Sequence, residues 1–221
     1  EGGLINMNIV LSYLRSIVRN EHINIISNNT SKKIEPIYWD WKDDVGEKVA
    51  VIHYKSLYQS GDDELPRAIN EELRKQELAP KSIFITTLRS KDIQSELIRK
   101  FKEEGISAII TTTSFSSVNT EDANSVNPLW DRFDIPVLQL LTSCQSKDQW
   151  SKSSLGLTPL DLSIQVVLPE LDGRITTRPG AFRETYTSHS SLFTAIEKFR
   201  PNTKGIKWVV EHIKNWIILR N

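Results

Sequence analysis

The sequence has little of several features that define common classes of protein. It contains one cysteine, Cys144, in 221 residues, which excludes an internal disulfide framework. It has no apolar run near the roughly 20 residues that a membrane-spanning helix needs. No signal peptide is recognisable, so the composition favours a cytoplasmic protein that makes no contact with a membrane.

An excess of either charge is also missing. Lys and Arg together number 28, as do Asp and Glu. A balanced chain has no overall field to attract nucleic acid or an anionic lipid surface, so we expect neither as a partner. Hydrophobic residues make up 38% of the sequence, enough to build a real core.

Motifs that bind cofactors are absent as well. There is no G-x-G-x-x-G and no G-x-x-x-x-G-K-[ST], so the sequence does not support a glycine-rich loop that binds nucleotide phosphates. No G-x-S-x-G favours a hydrolase. The histidines are widely separated and the cysteine has no C-x-x-C partner, so we expect no metal site in this chain. The histidines are His22, His53, His189 and His212.

Short β-rich runs alternate with helical ones after Gly46, which is typical of successive βαβ units. The helical stripes Leu65/Ile69/Leu73 and Ile93/Leu97/Phe101 would cover a sheet. We therefore predict an α/β domain with a Rossmann-like or flavodoxin-like parallel sheet and flanking helices. The predicted strands are Val49–Tyr54, Ser82–Thr86, Ala108–Thr112, Val137–Leu141 and Arg174–Thr177.

Two further helices are predicted towards the end of the chain. In the first, Thr158 is the expected N-cap and Pro159 the first helical residue, and an apolar stripe is expected to face the core. Its members are Leu160, Ile164, Val167 and Leu168. The second is a long helix marked by Ile206, Val209, Val210, Ile213 and Ile217.

The N-terminal part reads differently. The apolar spacing predicts an amphipathic helix over Leu4–Arg19, Asn28–Ser31 indicates a turn, and Pro36–Trp41 indicates an irregular segment packed over a surface. We place a boundary near Gly46, which divides the chain into an N-terminal helix and linker (1–46) and an α/β domain (47–221).

The loops after the strands are the first candidates for a binding site, because ligands of open α/β sheets bind beyond the carboxyl ends of the strands. Polar side chains there could contact a large polar ligand by hydrogen bonds. The alternative is that the Ser and Thr residues only close turns. The candidates are Lys55, Tyr58, Ser60, Arg89, Ser114, Ser116 and Ser143.

His53, late in an apolar strand, reads as a buried neutral histidine with one satisfied nitrogen rather than as a ligand or an acid–base group. The six tryptophans read as core or interface anchors rather than as a stacking surface for a flat macrocycle.

One long block carries a family resemblance. Residues Leu155–Arg178 read LGLTPLDLSIQVVLPELDGRITTR, and this closely resembles a block of the cobaltochelatase large subunit (CobN) and magnesium chelatase H subunit family. Other landmarks occur in the family's order, and the continuation Asp172–Gly173–Arg174–Ile175 is more like the cobalt enzyme. The landmarks are Thr113, Ser114, Phe115, the run Pro136–Leu138, and Trp150.

Within the block, Glu170 and Asp172 also fit a simple structural role at a helix end and turn. The loop after the first predicted strand departs from the family, because Lys55 and Leu57 stand where Arg and His are usual. Lysine keeps the charge but loses the fork that binds carboxylates.

The resemblance implies a cytoplasmic fragment of a much larger subunit, inactive alone, of an ATP-dependent metal chelatase. Such a subunit binds the tetrapyrrole and the metal, while AAA+ partner subunits hydrolyse ATP. The other implied partners are the remainder of the large subunit and accessory chelatase subunits. ATP, Mg and cobalt are thus implied for the complex and no cofactor for this piece. The implied reaction is cobalt insertion into hydrogenobyrinic acid a,c-diamide in cobalamin biosynthesis. The alternatives are a magnesium chelatase H subunit acting on protoporphyrin IX in chlorophyll biosynthesis, and a scaffolding or docking domain that never touches substrate.

Overall fold

The computed structural model describes residues 4–19, 36–117, 129–186 and 196–220. Within them the strands form one seven-stranded sheet of order β1-β3-β2-β4-β5-β6-β7. They are β1 Ile37–Trp39, β2 Lys48–Tyr54, β3 Ala79–Ile85, β4 Ile106–Thr111, β5 Val137–Ser143, β6 Ile175–Tyr186 and β7 Ile196–Pro201.

The five central strands run parallel and the two edge strands antiparallel. Their order, with the first parallel strand between the second and the third, is the flavodoxin-like order. The predicted fold class is therefore confirmed.

Helices cover both faces of the sheet. They are α1 Leu4–Arg19, α2 Lys55–Ser60, α3 Glu64–Lys75, α4 Lys91–Glu104, α5 Lys147–Lys152, α6 Pro159–Leu162, α7 Leu168–Leu171 and α8 Thr203–Arg220. A π-helical turn, Ser163–Val167, joins α6 to α7 without a break, and we call residues 159–171 the crossover helix. None of the helices within the described ranges is long and apolar enough to cross a membrane.

The alternation of apolar residues along the strands builds two cores. Val49 and Val51 of β2 pack with α3 and α8 on one face, whereas Ala50 and Ile52 pack with α4 on the other. The predicted stripes on α3 and α4 are buried, because one face of each helix covers hydrophobic strands.

Helix α8 lies unusually close to the sheet. A Cβ atom at Gly205 would collide with the carbonyl oxygen of Pro179 in β6, so only glycine permits this approach. The side chain of Asn202 donates a hydrogen bond to the same carbonyl at 2.7 Å.

The β6–β7 hairpin ties the end of the chain to the start of α3. Tyr186 donates its hydroxyl to Glu64 at 2.9 Å, and Arg200 donates to the second oxygen of Glu64 at 3.1 Å. The backbone N–H of Phe199 donates to Asp62 at 3.1 Å. These contacts bridge 122 to 137 residues of sequence.

The structure corrects three predictions of secondary structure. The Pro36–Trp41 segment contains strand β1, which pairs with β3. The strand predicted at Arg174–Thr177 extends to Tyr186 and is followed by β7, which was not predicted. Strand β1 is only three residues long and β7 is largely polar, so neither shows the longer alternating or apolar run by which a strand is recognised.

The third correction concerns the face of the crossover helix. Leu160 and Val167, expected in the core, are 62% and 49% exposed, whereas Asp161 and Gln165 are buried. The start of the crossover helix was predicted correctly, because Thr158 accepts a hydrogen bond from the N–H of Asp161 and Pro159 is the first helical residue.

Helix α1 has the predicted bounds, and its apolar residues Tyr13, Leu14 and Ile17 are exposed. The boundary near Gly46 stays a prediction. The predicted turn at Asn28–Ser31, residues 118–122 of the loop after the third predicted strand, His22 and His189 lie outside the described residues.

Candidate functional site

A cavity of about 270 Å³ opens at the carboxyl ends of the central strands. It lies where the chain reverses its direction across the sheet, between β3 and β2 on one side and β4 on the other, which is where α/β sheets of this order bind ligands. Its walls come from the ends of those three strands and are Tyr54, Thr86, Thr87, Leu88, Arg89, Thr113, Phe115 and Ser116.

Arg89 and Phe115 are the two most informative wall residues. Both side chains are exposed, and Arg89 takes part in none of the ion pairs found in the described part of the chain. A guanidinium recognises carboxylates through paired hydrogen bonds, and an exposed aromatic ring offers a flat apolar face. The cavity thus combines an anion-binding group with a stacking surface.

The loop after β4 is held by the hydroxyl of Tyr54 at the end of β2. This oxygen accepts hydrogen bonds from the backbone N–H groups of Ser114 at 3.1 Å and Phe115 at 3.2 Å. Two amides that would otherwise lack partners are satisfied, and the position of Phe115 at the cavity is fixed.

A buried ion pair holds the same loop from the other side. Arg174 and Asp172 are 3.0 Å apart with fully buried side chains. Arg174 donates to the carbonyl oxygens of Thr113 and Phe115, both at 2.6 Å. Asp172 accepts the backbone N–H of Ser117 at 2.6 Å. Burial lowers the pKa of Arg174 from its ordinary value, and the charge of Asp172 opposes that shift.

The crossover helix contributes further hydrogen bonds to the strand ends. Gln165 donates to the hydroxyls of Ser114 at 2.7 Å and Thr142 at 3.1 Å. Asp161 accepts the hydroxyl of Ser143 at 2.9 Å. Together with the ion pair, these bonds join the family-like block to the carboxyl ends of β4 and β5. Asp161, Gln165, Asp172 and Arg174 of that block are thus hydrogen-bonded inside the protein.

The structure brings together only some of the predicted site residues. Arg89, Thr113, Phe115 and Ser116 line the cavity. Ser114 and Ser143 bond to the crossover helix. Lys55, Tyr58 and Ser60 lie on α2 outside the cavity wall. There the ring of Tyr58 packs 5.5 Å from that of Phe84, and the Ser60 hydroxyl donates to the carbonyl of Leu57.

Trp150, Glu170 and Gly173, which also belong to the family-like pattern, lie outside the cavity wall and make structural contacts. Trp150 packs against Phe182 at 5.3 Å. Glu170 is exposed at the end of α7, where its carbonyl accepts the N–H of Gly173 at 3.1 Å. Gly173 adopts a φ of 83°, a conformation that favours glycine.

His53 is fully buried, as predicted. Its Nδ1 lies 3.0 Å from the hydroxyl of Thr112, while its Nε2 is buried without a hydrogen-bond partner. Burial lowers the pKa of His53 to about 3, so the ring is neutral at physiological pH.

Three contributors escaped the sequence reasoning. Tyr54 was predicted only as the last residue of a strand, and neither Asp161 nor Gln165 was among the candidate site residues. The one available signal is the spacing of Asp161 and Gln165, four residues apart on a helix that ends at Leu171. Among the described residues no group of three or more His, Cys, Asp and Glu side chains could hold a metal ion.

The fold and this site define an α/β domain of flavodoxin-like order, with an internal polar network at its strand ends and a small cavity at the switch point. The family model described as CobN/Magnesium Chelatase matches residues 12–221. The chain belongs to the CobN/magnesium chelatase family.

Individual relatives agree with this assignment. The chain is 33% identical over 168 residues to the aerobic cobaltochelatase subunit CobN of Pseudomonas aeruginosa, and 26% identical over 172 residues to that of Sinorhizobium sp.. These matches cover 76% and 78% of this chain and 13% of each relative. The magnesium-chelatase subunit ChlH of Oryza sativa is 30% identical over 108 residues, covering 47% of this chain and 8% of the relative.

A solved structure shares the fold. The catalytic subunit of cobaltochelatase from Mycobacterium tuberculosis superimposes with a TM-score of 0.70 at 21% identity. The match covers 95% of this chain and 18% of the solved one. The chain therefore spans less than a fifth of the relatives it matches.

Proposed function

We propose that this chain is a domain of the tetrapyrrole-binding large subunit of a cobalt chelatase, and that the switch-point cavity receives a carboxylate-bearing edge of the macrocycle. The observation that carries the proposal is that Arg89 and Phe115 line the same cavity. The cobalt assignment is supported by the CobN relatives, whose matches cover 76% and 78% of the chain against 47% for ChlH.

The size of the cavity limits what it holds. At about 270 Å³ it is smaller than the pockets of about 300–1,000 Å³ that enclose drug-sized ligands. A whole tetrapyrrole does not fit, but one carboxylate side chain does. Arg89 would bind that carboxylate, while Phe115 would pack against the adjoining ring.

Metal insertion also needs a base to remove pyrrole protons and ligands to deliver the ion. Because the described residues offer no cluster of metal ligands, we assign these steps to other parts of a longer subunit. In this proposal cobalt is a substrate, and AAA+ partner subunits bind and hydrolyse ATP with its Mg ion. This domain alone is inactive.

Titration of a large subunit containing this chain with hydrogenobyrinic acid a,c-diamide, followed by tryptophan fluorescence, tests the proposal. Arg89→Ala and Phe115→Ala are expected to weaken binding, each by about tenfold, the effect of losing one charged hydrogen bond or one buried ring face. The matched control is Arg132→Ala, an exposed arginine of the 3-10 turn Leu129–Arg132 outside this cavity. Unchanged affinity in both cavity variants would overturn the proposal.

A scaffolding role is the second candidate, and the hydrogen bonds of Ser114 and Ser143 favour it. Both hydroxyls, which were candidates for ligand contacts, already bond to the crossover helix. In that case Arg89 and Phe115 can be replaced without loss of affinity or chelatase activity, whereas replacement of Arg174 destabilises the domain.

The magnesium chelatase alternative is separated by the same titration. The similarity to ChlH predicts preferential binding of protoporphyrin IX if the metal is magnesium. A higher affinity for the corrin precursor than for the porphyrin supports the cobalt enzyme, and the reverse order rejects it.

A further inference from the structure

The crossover helix has its polar side inside and its apolar side outside. Asp161 and Gln165 are buried, at 0% and 3% exposure. Leu160 and Leu171 are 62% and 70% exposed. A helix that covers a sheet normally shows the opposite arrangement. We call Leu160, Ile164, Val167 and Leu171 the outer stripe.

The inversion has a local cause. The inner face meets the polar ends of β4 and β5, where the hydroxyls of Ser114, Thr142 and Ser143 need partners. Polar side chains satisfy them, so the apolar residues are left facing outwards. Contiguous exposed apolar surface of this kind marks a site of interaction.

The composition of the stripe indicates a permanent partner. Between Leu155 and Leu171 the charged residues are Asp161, which is buried, and Glu170. Interfaces that never open are more hydrophobic than transient ones and resemble a domain core that has been divided. A docking site for a soluble, exchanging subunit would carry more charge around it.

Apolar side chains continue past the end of the helix into a groove whose rim also carries Asp131, Asp134 and Arg220, and a polar rim around an apolar centre is usual at interfaces. Two residues beyond Leu171, Gly173 enters the wall of a groove of about 450 Å³ that also includes Ile175 and Trp216. Ile175 and Trp216 are 42% and 43% exposed. Tryptophan is a frequent anchor residue at the centre of interfaces.

The lengths of the relatives indicate what the partner is. The matched region is 13% of each CobN relative and 18% of the solved cobaltochelatase chain, so most of each polypeptide lies outside a domain like this one and is available to cover it. We propose that the outer stripe and the adjoining groove form the interface with another domain of the same large-subunit polypeptide, which is bound permanently through mainly apolar contacts. This inference rests on the proposed function only in assuming such a large subunit.

Carbene footprinting of a full-length large subunit that contains this chain tests the inference. We expect the peptide carrying Leu160–Leu171 to be labelled as weakly as buried strand β3, with no change when ATPase subunits are added. The internal reference is Val45, which is 94% exposed. Labelling of the stripe at the level of Val45 would overturn the inference. Protection that appears only when the ATPase subunits are added would also overturn it. The same holds for protection that appears only at high protein concentration, which is expected if a second copy covers the stripe.

Substitutions give an independent reading. Leu160→Asp and Leu171→Asp are expected to detach the neighbouring domain, seen as new sites of limited proteolysis in the full-length subunit. Val45→Asp is the matched control and should leave the digestion pattern unchanged. Digestion identical in all three variants contradicts the inference. Neither measurement uses substrate or ATP, so a failed tetrapyrrole titration at Arg89 stays distinguishable from a failed interface.

Discussion

At the scale of single residues, Arg174 has the widest set of contacts in the site. Its guanidinium links Asp172 to the carbonyl oxygens of Thr113 and Phe115 and to the side chain of Gln139. It also lies 5.4 Å from the ring of Trp130. A planar group with five donors suits this position, whereas a lysine would satisfy fewer acceptors.

Replacing Arg174 by methionine tests this role. The change leaves the charge of Asp172 buried without its partner, and breaking a buried pair in this way typically costs about 3–5 kcal/mol of unfolding free energy. Urea unfolding measures the loss. Arg99→Met removes an arginine whose ion pairs lie on the surface, and should change stability little. Equal stability of the two variants would show that the buried pair does not support the fold.

The second residue prediction concerns acid. Because the pKa of His53 is about 3 in the folded protein and about 6.5 when unfolded, the unfolded state binds the additional proton between these values. Stability is therefore fully present above pH 6.5 and falls as the pH is lowered, by up to about 1.4 kcal/mol per pH unit.

Urea midpoints measured from pH 7 to pH 4.5 should show this slope, and His53→Asn should flatten it. The carboxyl of Asp40 acts at lower pH. Burial would raise its pKa, but hydrogen bonds from Arg74, Lys42 and Asn70 outweigh that and lower it to about 2. A slope as steep in His53→Asn as in the parent would assign the acid sensitivity to other groups.

At the scale of elements, the contact between α8 and β6 gives a prediction with an unusual sign. Alanine in place of a helical glycine ordinarily stabilises a protein by about 0.8–1.0 kcal/mol. At Gly205 the new Cβ meets the carbonyl oxygen of Pro179, so Gly205→Ala should destabilise the domain by about 1–3 kcal/mol.

Thermal unfolding compares this variant with Lys204→Ala, its exposed neighbour, which should lie within about 0.5 kcal/mol of the parent. A stabilised Gly205→Ala would mean that α8 does not approach the sheet as closely as the structure shows.

The elements also differ in how well the sequence predicts them. Strands β2, β4 and β5 are continuous apolar runs covered on both faces, and such runs are readily recognised. Strand β7 reads IEKFRP and pairs along one side only. Nothing local distinguishes that pattern from an exposed loop, because its stability comes from pairing with β6.

The crossover helix shows why the site was harder to predict than the sheet. A period of 3.6 residues places Leu160, Ile164 and Val167 on one face, and that face exists. Whether it points inwards depends on what the sheet offers, and here the sheet offers hydroxyl groups. The cavity brings together Tyr54 from the end of β2, Arg89 from the loop after β3 and Phe115 from the loop after β4. Their proximity follows from strand order rather than from any motif.

At the scale of the whole molecule, the absence of net charge has a measurable effect. The formal charge is 0 at pH 7 and the sequence pI is about 7.2, so little electrostatic repulsion opposes contact between molecules. The outer stripe adds apolar surface. We expect self-association of the isolated chain, followed by light scattering, to be strongest near pH 7.2 and to decline towards pH 9.

Leu171→Lys, which adds a charge within the stripe, should reduce the scattering at pH 7.2. Lys102→Arg, at an exposed position of α4, keeps the charge and should not. Scattering that is independent of pH and of Leu171 would mean that neither neutrality nor the stripe governs association.

The bonds between Glu64 and the β6–β7 hairpin also bear on how the chain is made. Arg200 is 136 residues later in sequence than Glu64. A ribosome adding about 5–20 residues each second needs about 7–27 s to synthesise that interval. During this time β2 and β3 can pair, but β7 has not yet been synthesised. The sheet therefore lacks its β7 edge, and the first turn of α3 lacks its contacts with the β6–β7 hairpin. The nascent domain thus passes through a period in which it is open to chaperones, and it closes only after almost its whole length has been translated.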